Sequence, residues 1–173
     1  MFRKLFRKII FPIEWLDKVP SGDALLDVGS GSGLFLDHLS PRFLVAQGVE
    51  VRDKYLRDTY PYILSAPSLA ACDVLTVFDV LHHIPSKYKT LHNYIQRFRP
   101  SYLCIKEMSD SNNFCKLMNR IHDMIFGHGD LIAEVNAEDL ITLCKQWGYE
   151  VNLSLQKRIF WYNHYMIIFK RIE

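Results

Sequence analysis

An α/β fold, in which a mostly parallel sheet carries helices on both faces, is what this sequence predicts, and three observations predict it. Apolar runs rich in branched residues recur around Leu25–Asp27, Val45–Glu50, Asp73–Asp79 and Ser101–Ile105, with stretches of helical periodicity between them. The third of these runs is almost wholly apolar, as befits a strand covered on both faces. The first ends in a glycine-rich turn, Asp27-Val28-Gly29-Ser30-Gly31-Ser32-Gly33, that leads straight into the periodic segment Leu34–Leu39: strand, tight turn, helix.

The turn carries the chemistry. Glycines without a Cβ let it bend sharply and let a ligand approach the main chain, and the start of the following helix offers N–H donors. About one strand later, Glu50 closes the next apolar run, at the place where a nucleoside-binding βαβ unit puts its ribose-hydroxyl acceptor. A glycine turn alone is equally an ordinary loop. With a strand before it, a helix after it and Glu50 beyond, it reads as a nucleoside site.

The remaining elements follow in order. Met1–Phe11 sets Arg3, Lys4, Arg7 and Lys8 on one side of a helical projection and Phe2, Leu5, Phe6, Ile9 and Ile10 on the other, a basic amphipathic helix that either anchors to anionic lipid or packs its apolar stripe on the domain. Pro12 ends or kinks it, and Phe11, Ile13, Trp15 and Leu16 supply apolar surface up to the first strand. Val51–Tyr60 reads as a short charged helix broken by Pro61, Tyr62–Ser65 as a third strand, and Asp73–Asp79 as a fourth. At a switch point of such a sheet, Phe78, Asp79, Leu81, His82 and His83 fall at the ligand crevice. An adjacent His–His pair lacks clustered ligands for a metal, and no metal is expected; one histidine, His83, suits proton removal, and the alternative is a histidine that only holds the loop.

Pro85–Phe98 is an amphipathic helix and Ser101–Ile105 a fifth strand, followed at the ligand end by Lys106 and Glu107. A lysine there snorkels to solvent or meets a carboxylate such as Asp79 or Glu107. Residues 109–128 form an inserted segment in which Asn119, His122 and Asp123 share neighbouring turns of a helix over the crevice, a lid. Asn136 caps a further helix ended by Gly148, and Tyr149–Lys157 and Tyr165–Lys170 are strands joined by the aromatic stretch Phe160–His164.

Bulk properties bound the rest. A chain of 173 residues, 49% hydrophobic, can bury one core and hardly two, so residues 1–173 are expected as one domain, with 1–16 and 109–128 as helical lids. A net charge of +2 gives no global argument for nucleic acid. Cys72, Cys104, Cys115 and Cys144 have no paired metal-ligand spacing and read as reduced structural thiols. With no apolar run of spanning length and no signal-peptide core, a cytoplasmic protein is expected, with peripheral membrane contact through the N-terminal helix left open.

Asp27, two places before the first of three alternating glycines, makes the turn resemble motif I of the class I S-adenosylmethionine-dependent methyltransferases. Val77-Phe78-Asp79-Val80-Leu81-His82-His83-Ile84-Pro85 resembles the family's fourth-strand motif, and Tyr102-Leu103-Cys104-Ile105-Lys106-Glu107 its fifth strand; the likeness runs from about Trp15 to the C-terminus. Lys106-Glu107 followed by Asn119-Arg120-Ile121-His122-Asp123 is similar to a small bacterial subgroup. The resemblance implies a Rossmann-like, seven-stranded, mostly parallel sheet with an antiparallel C-terminal hairpin. S-adenosylmethionine is its implied cofactor, held by Asp27, Gly29, Ser30, Gly31, Gly33, Glu50, Phe78, Asp79 and Leu81. The subgroup resemblance implies a role at the site for Lys106, His122 and Asp123; the methyl group is expected to face Asp79, His83, Lys106 and the inserted helix, with Asp79, His83, Lys106 and His122 as the candidate catalytic residues. Where the family often has an acid for the adenine amino group, this chain has Ser65-Ala66-Pro67-Ser68, which leaves that contact unassigned. An oxygen acceptor on a small or lipid-like molecule is the first expectation. The alternatives are an RNA ribose methyltransferase, against which stands the lack of interleaved aromatic and basic residues, and a non-catalytic binding domain.

Overall fold

Seven strands form one sheet in the order β3-β2-β1-β4-β5-β7-β6. They are β1 (Ala24–Val28), β2 (Val45–Val49), β3 (Tyr62–Leu64), β4 (Val74–Phe78), β5 (Tyr102–Ser109), β6 (Tyr149–Ile159) and β7 (Tyr162–Arg171). The computed structural model describes residues 11–52, 56, 62–109, 117–118, 121 and 134–172. The first five strands pair in parallel, and β7 alone runs against the rest, between β5 and β6. From β1 the chain moves outward through β2 and β3, then returns to the other side of β1 for β4 and β5. That reversal opens a crevice at the C-terminal ends of β1 and β4.

Strand alternation divides the core into two clusters. Leu25, Val74, Phe78, Cys104, Met166 and Ile168 face one side, where Trp15 and Leu16 of the 3-10 turn Ile13–Lys18 and Phe35, Leu36 and Leu39 of helix α1 (Leu34–Leu39) cover them. Leu26, Leu75, Val77, Leu103, Ile105 and Ile167 face the other, under α2 (Lys87–Phe98) and α3 (Ala137–Gln146). In α2 the buried Leu91, Ile95 and Phe98 lie on one stripe, and Arg99 closes it at φ 46°. In α3 the Asn136 side chain accepts from the N–H groups of Glu138 and Asp139, the cap that its position predicts, and Gly148 at φ 86° follows the last turn.

Three boundaries differ from the expectation. β5 continues past Ile105 to Ser109 because β7 pairs with it as far as Ser109↔Asn163, so Lys106 and Glu107 sit inside a strand. Three of the five residues of Phe160–His164 belong to β7: only Phe160 and Trp161 turn, Phe160 at φ 58°, and Ile159 already faces Tyr162. Aromatic residues are good strand formers, and pairing overrode their reading as a connection. Helix α2 starts at Lys87. The N-terminal helix up to Ile10, most of Val51–Tyr60, and Asn119, His122, Asp123 and Cys115 of the inserted segment lie outside the described residues. Among the described residues no helix is long and apolar enough to cross a membrane.

Candidate active site

At the head of the crevice the turn after β1 is built as its glycines demand. Gly29, Gly31 and Gly33 have φ of 74°, 55° and 77°. At Gly29 an added Cβ would stand 2.2 Å from Val80 Cγ2, so the left-handed backbone and the close neighbour both exclude a side chain. The turn hangs on the end of β2: the N–H groups of Gly29 and Ser30 donate to the Val49 carbonyl at 2.7 and 3.1 Å. Ser30 Oγ donates back to the Asp27 carbonyl at 2.8 Å.

Glu50 completes this corner. Its Oε2 accepts from Gly31 N–H at 2.9 Å, and its Oε1 from the N–H groups of Val51 and Arg52 at 2.9 and 3.1 Å. These three bonds satisfy a buried carboxylate and fix where it points. A carboxylate has about four acceptor positions, so one on Oε2 remains for a ligand hydroxyl beside the Gly31 main chain. A nucleoside with a ribose diol fits this donor and acceptor set. Asp27, buried at the end of β1, receives the Thr76 hydroxyl at 2.7 Å and thereby ties β1 to β4 under the turn.

Asp79 and Lys106 come together where β4 ends against the middle of β5. Asp79 has φ 55°, uncommon for a residue with a Cβ and tolerated best by Asn and Asp, and its N–H donates to the Lys106 carbonyl at 2.9 Å. The Lys106 ammonium lies 2.5 Å from Asp79 Oδ1; the lysine side chain is 1% exposed and that of Asp79 14%. Of the partners expected for Lys106, the carboxylate is that of Asp79. A roof of rings covers the pair: Phe11 has its centroid 4.9 Å from Lys106 Nζ and packs on Phe35 at 4.1 Å and Phe78 at 6.1 Å.

Other expected ligands lie elsewhere. The side chains of Phe78 and Leu81 enter the two opposite clusters, so what they offer a ligand at the crevice is main chain. His83 follows on the 3-10 turn Leu81–His83, partly buried, its ring 4.0 Å from that of His82. His122 is outside the described residues. Among the described residues no group of three or more His, Cys, Asp or Glu could hold a metal ion.

Two arrangements were not foreseen. Glu107, on the strand face away from Lys106, accepts from the N–H groups of Val80 and Leu81 and meets His82 Nδ1 at 2.6 Å. Gln47, buried in β2, donates to Ser68 Oγ at 2.6 Å and accepts from Ser68 N–H at 2.7 Å. It holds the loop after β3. A polar residue inside an apolar run is the signal for each, since burial demands a partner.

The family of methyltransferase domains matches residues 1–154. Among solved structures, magnesium protoporphyrin IX methyltransferase from Synechocystis, with S-adenosylhomocysteine bound, aligns with a TM-score of 0.69 at 14% identity, over 98% of this chain and 84% of that one. A putative methyltransferase of Haloferax volcanii, in complex with the Trm112 methyltransferase activator, aligns at 0.73 and 10% identity over 99% and 93%. The N-methyltransferase NodS of Bradyrhizobium japonicum, with S-adenosylhomocysteine, aligns at 0.68 and 14% over 96% and 87%. At such identities the likeness is one of fold. No curated protein sequence matches the chain.

Proposed function

The chain belongs to the methyltransferase-domain family and is an S-adenosylmethionine-dependent methyltransferase, and from that premise we propose that it methylates an oxygen on a small or lipid-like, uncharged acceptor. The observation that carries this reading is the Lys106–Asp79 pair beneath the Phe11 ring. With its charges compensated over 2.5 Å, the pair presents no net charge to an acceptor, so a cationic amine gains little there. A neutral hydroxyl, in contrast, finds a fixed acceptor in the part of Asp79 that water still reaches. The aromatic roof favours an apolar body around that hydroxyl.

When bound, S-adenosylmethionine supplies a methyl group already activated as a sulfonium electrophile. The Gly29–Gly33 main chain and Glu50 are the groups that would hold it, with its ribose on Glu50. The work left to the protein is placement: the acceptor oxygen must stand in line at about 3–3.5 Å with water excluded. Asp79 orients the hydroxyl, Lys106 holds Asp79, and Phe11, packed on Phe35 and Phe78, keeps the ammonium of Lys106 dry. A hydroxyl must also lose its proton, and His83, on the 3-10 turn after β4, is the group we assign to take it. The residues 1–16 and 109–128, the latter with His122, are proposed to close over the crevice within one domain spanning residues 1–173. A peripheral contact of the N-terminal helix with an anionic membrane belongs to the lipid-like form of the reading.

Calorimetric titration with S-adenosylmethionine and S-adenosylhomocysteine, beside a Gly31→Arg control, tests the cofactor. Binding in the micromolar range, lost in the variant, is expected. Labelled-methyl transfer to matched hydroxyl and amine acceptors then tests the acceptor: label on the amine members alone, or on RNA with a steep salt dependence, would overturn the oxygen reading.

A further inference from the structure

In its second half β5 carries a lysine and a glutamate in succession, and strand alternation sends them to opposite faces. Lys106 belongs to the site described above. Glu107 does not reach it, and it is 0% exposed. A carboxylate so deeply buried must find its compensation nearby, and here one short turn supplies it. Oε1 accepts from Val80 N–H at 3.0 Å and Leu81 N–H at 2.7 Å, and Oε2 lies 2.6 Å from His82 Nδ1. Three successive residues of the turn after β4 are thus pinned to one side chain of β5.

The turn matters because of what its first residue touches. The Val80 side chain occupies the space in which a side chain at Gly29 would stand, with Cγ2, Cγ1 and Cβ all within 3.0 Å of that position. Val80 is therefore the wedge behind the glycine turn. Its own main chain is set by Glu107. A carboxylate can only accept, so the same contact also requires a proton on His82 Nδ1, and the His82 ring packs at 4.0 Å on His83.

We propose that Glu107 is a positioning residue of the methyltransferase, seating the cofactor turn through Val80 and fixing the ring of His82 through its second oxygen. This role rests on the cofactor reading above for its ligand. The geometry also predicts a ring protonation that can be read with no ligand present, so the two can fail separately.

Two variants of the full chain divide the functions of the carboxylate. Glu107→Gln keeps an oxygen for the Val80 and Leu81 N–H groups but turns an amide donor toward His82. Glu107→Met keeps the bulk and removes every acceptor. S-adenosylhomocysteine is titrated calorimetrically at a temperature at which each variant is folded, so that stoichiometry counts folded molecules and affinity reports the site. Glu107→Met is expected to bind at least about tenfold more weakly at unchanged stoichiometry, and Glu107→Gln to recover to within about threefold, the scale of one or two lost hydrogen bonds. Histidine ring 15N shifts are expected to show His82 Nδ1 protonated in the unmutated protein and unprotonated in Glu107→Gln. Unchanged affinity in Glu107→Met, or a bare His82 Nδ1 in the unmutated protein, overturns the assignment. Should Glu107→Met not fold, Val80→Ala, which leaves the carboxylate contacts in place, is expected to weaken binding at least about threefold, and unchanged affinity there overturns it equally. If the unmutated protein binds no S-adenosylhomocysteine, the cofactor reading fails, while the ring nitrogens still decide the tie between Glu107 and His82.

Discussion

The two halves of the Lys106–Asp79 pair are unequally buried, and that inequality sets the cost of removing each. In Asp79→Asn the lysine, 1% exposed in its side chain and under the Phe11 ring, loses its carboxylate and cannot move its ammonium to water without breaking the roof. Leaving a buried charge uncompensated costs about 3–5 kcal/mol. The backbone makes this a clean substitution, because asparagine tolerates the φ of 55° as well as aspartate does. In Lys106→Met the residue left behind is Asp79, 14% exposed, whose carboxylate water can reach, and the thioether packs on Phe11; about 1–3 kcal/mol is expected. The double variant removes both charges and should lie within about 1 kcal/mol of the unmutated protein. The coupling energy is then at least about 3 kcal/mol, well outside the scatter of independent sites. Urea unfolding followed by tryptophan fluorescence measures all four proteins, with equal m-values required for the comparison. Equal losses in the two single variants, or a double variant that loses their sum, would refute the argument that the pair is held by mutual compensation in a dry site.

Two further outcomes follow from residues away from the site. Burial pushes the Cys72 and Cys144 thiols up to about 12 and Cys104 still higher, so at pH 8 their thiolate fraction is on the order of one in ten thousand or less. In a Cys115→Ser background a thiol-specific chromogenic reagent should therefore label none of them until urea unfolds the chain, and labelling of any one beforehand refutes the burial. These raised values also set a sign: the unfolded chain gives up thiol protons above about pH 9 while the folded one keeps them, so stability present below that pH is lost as pH rises, by up to about 1.4 kcal/mol per unit for each thiol. Asn136→Ala removes the acceptor for Glu138 and Asp139 N–H and should cost about 1 kcal/mol, a fall of about 2–4 °C in Tm by calorimetry; an unchanged Tm would mean that the cap is not formed in solution.

What could be read from the sequence divides along a physical line. The parallel core strands, the glycine turn and Glu50 were legible because each rests on local pattern: apolar runs, backbone φ that only glycine takes freely, an acid at a strand end. The pairing Lys106–Asp79 was legible only as one of several options, since a buried lysine announces that it needs a carboxylate but not which one. Glu107 and Gln47 were harder still. Their partners are main-chain groups of Val80, Leu81 and Ser68, and a main-chain N–H looks the same at every position. The extent of the β6–β7 hairpin was missed for a related reason: the register of β5 with β7 decides it across some sixty positions, beyond any local pattern.

The pair Lys106-Glu107 shows how a single strand can serve both sides of a sheet. Adjacent residues of a strand face opposite ways, so an ordinary strand between two apolar clusters would place hydrophobic side chains at both positions. Here the lysine reaches Asp79 on the side of Phe11 and Phe35, while the glutamate reaches Val80, Leu81 and His82 on the side of α2. The four residues so gripped are consecutive, from Asp79 to His82. They form the whole exit of β4, the strand whose end borders the glycine turn. A loop exit held from both faces cannot drift toward either, and each clamp costs stability that an apolar strand would not lose. Such a cost is reasonable where position matters more than stability, that is, where an acceptor must be held in line with a methyl group at about 3 Å. It follows that replacing Lys106 and Glu107 together by apolar residues, which leaves Asp79 and the Val80 and Leu81 N–H groups without these partners, should give a protein less stable than the original and much poorer at methyl transfer even where it is folded, and a double variant that kept its rate would remove the reason for having the pair.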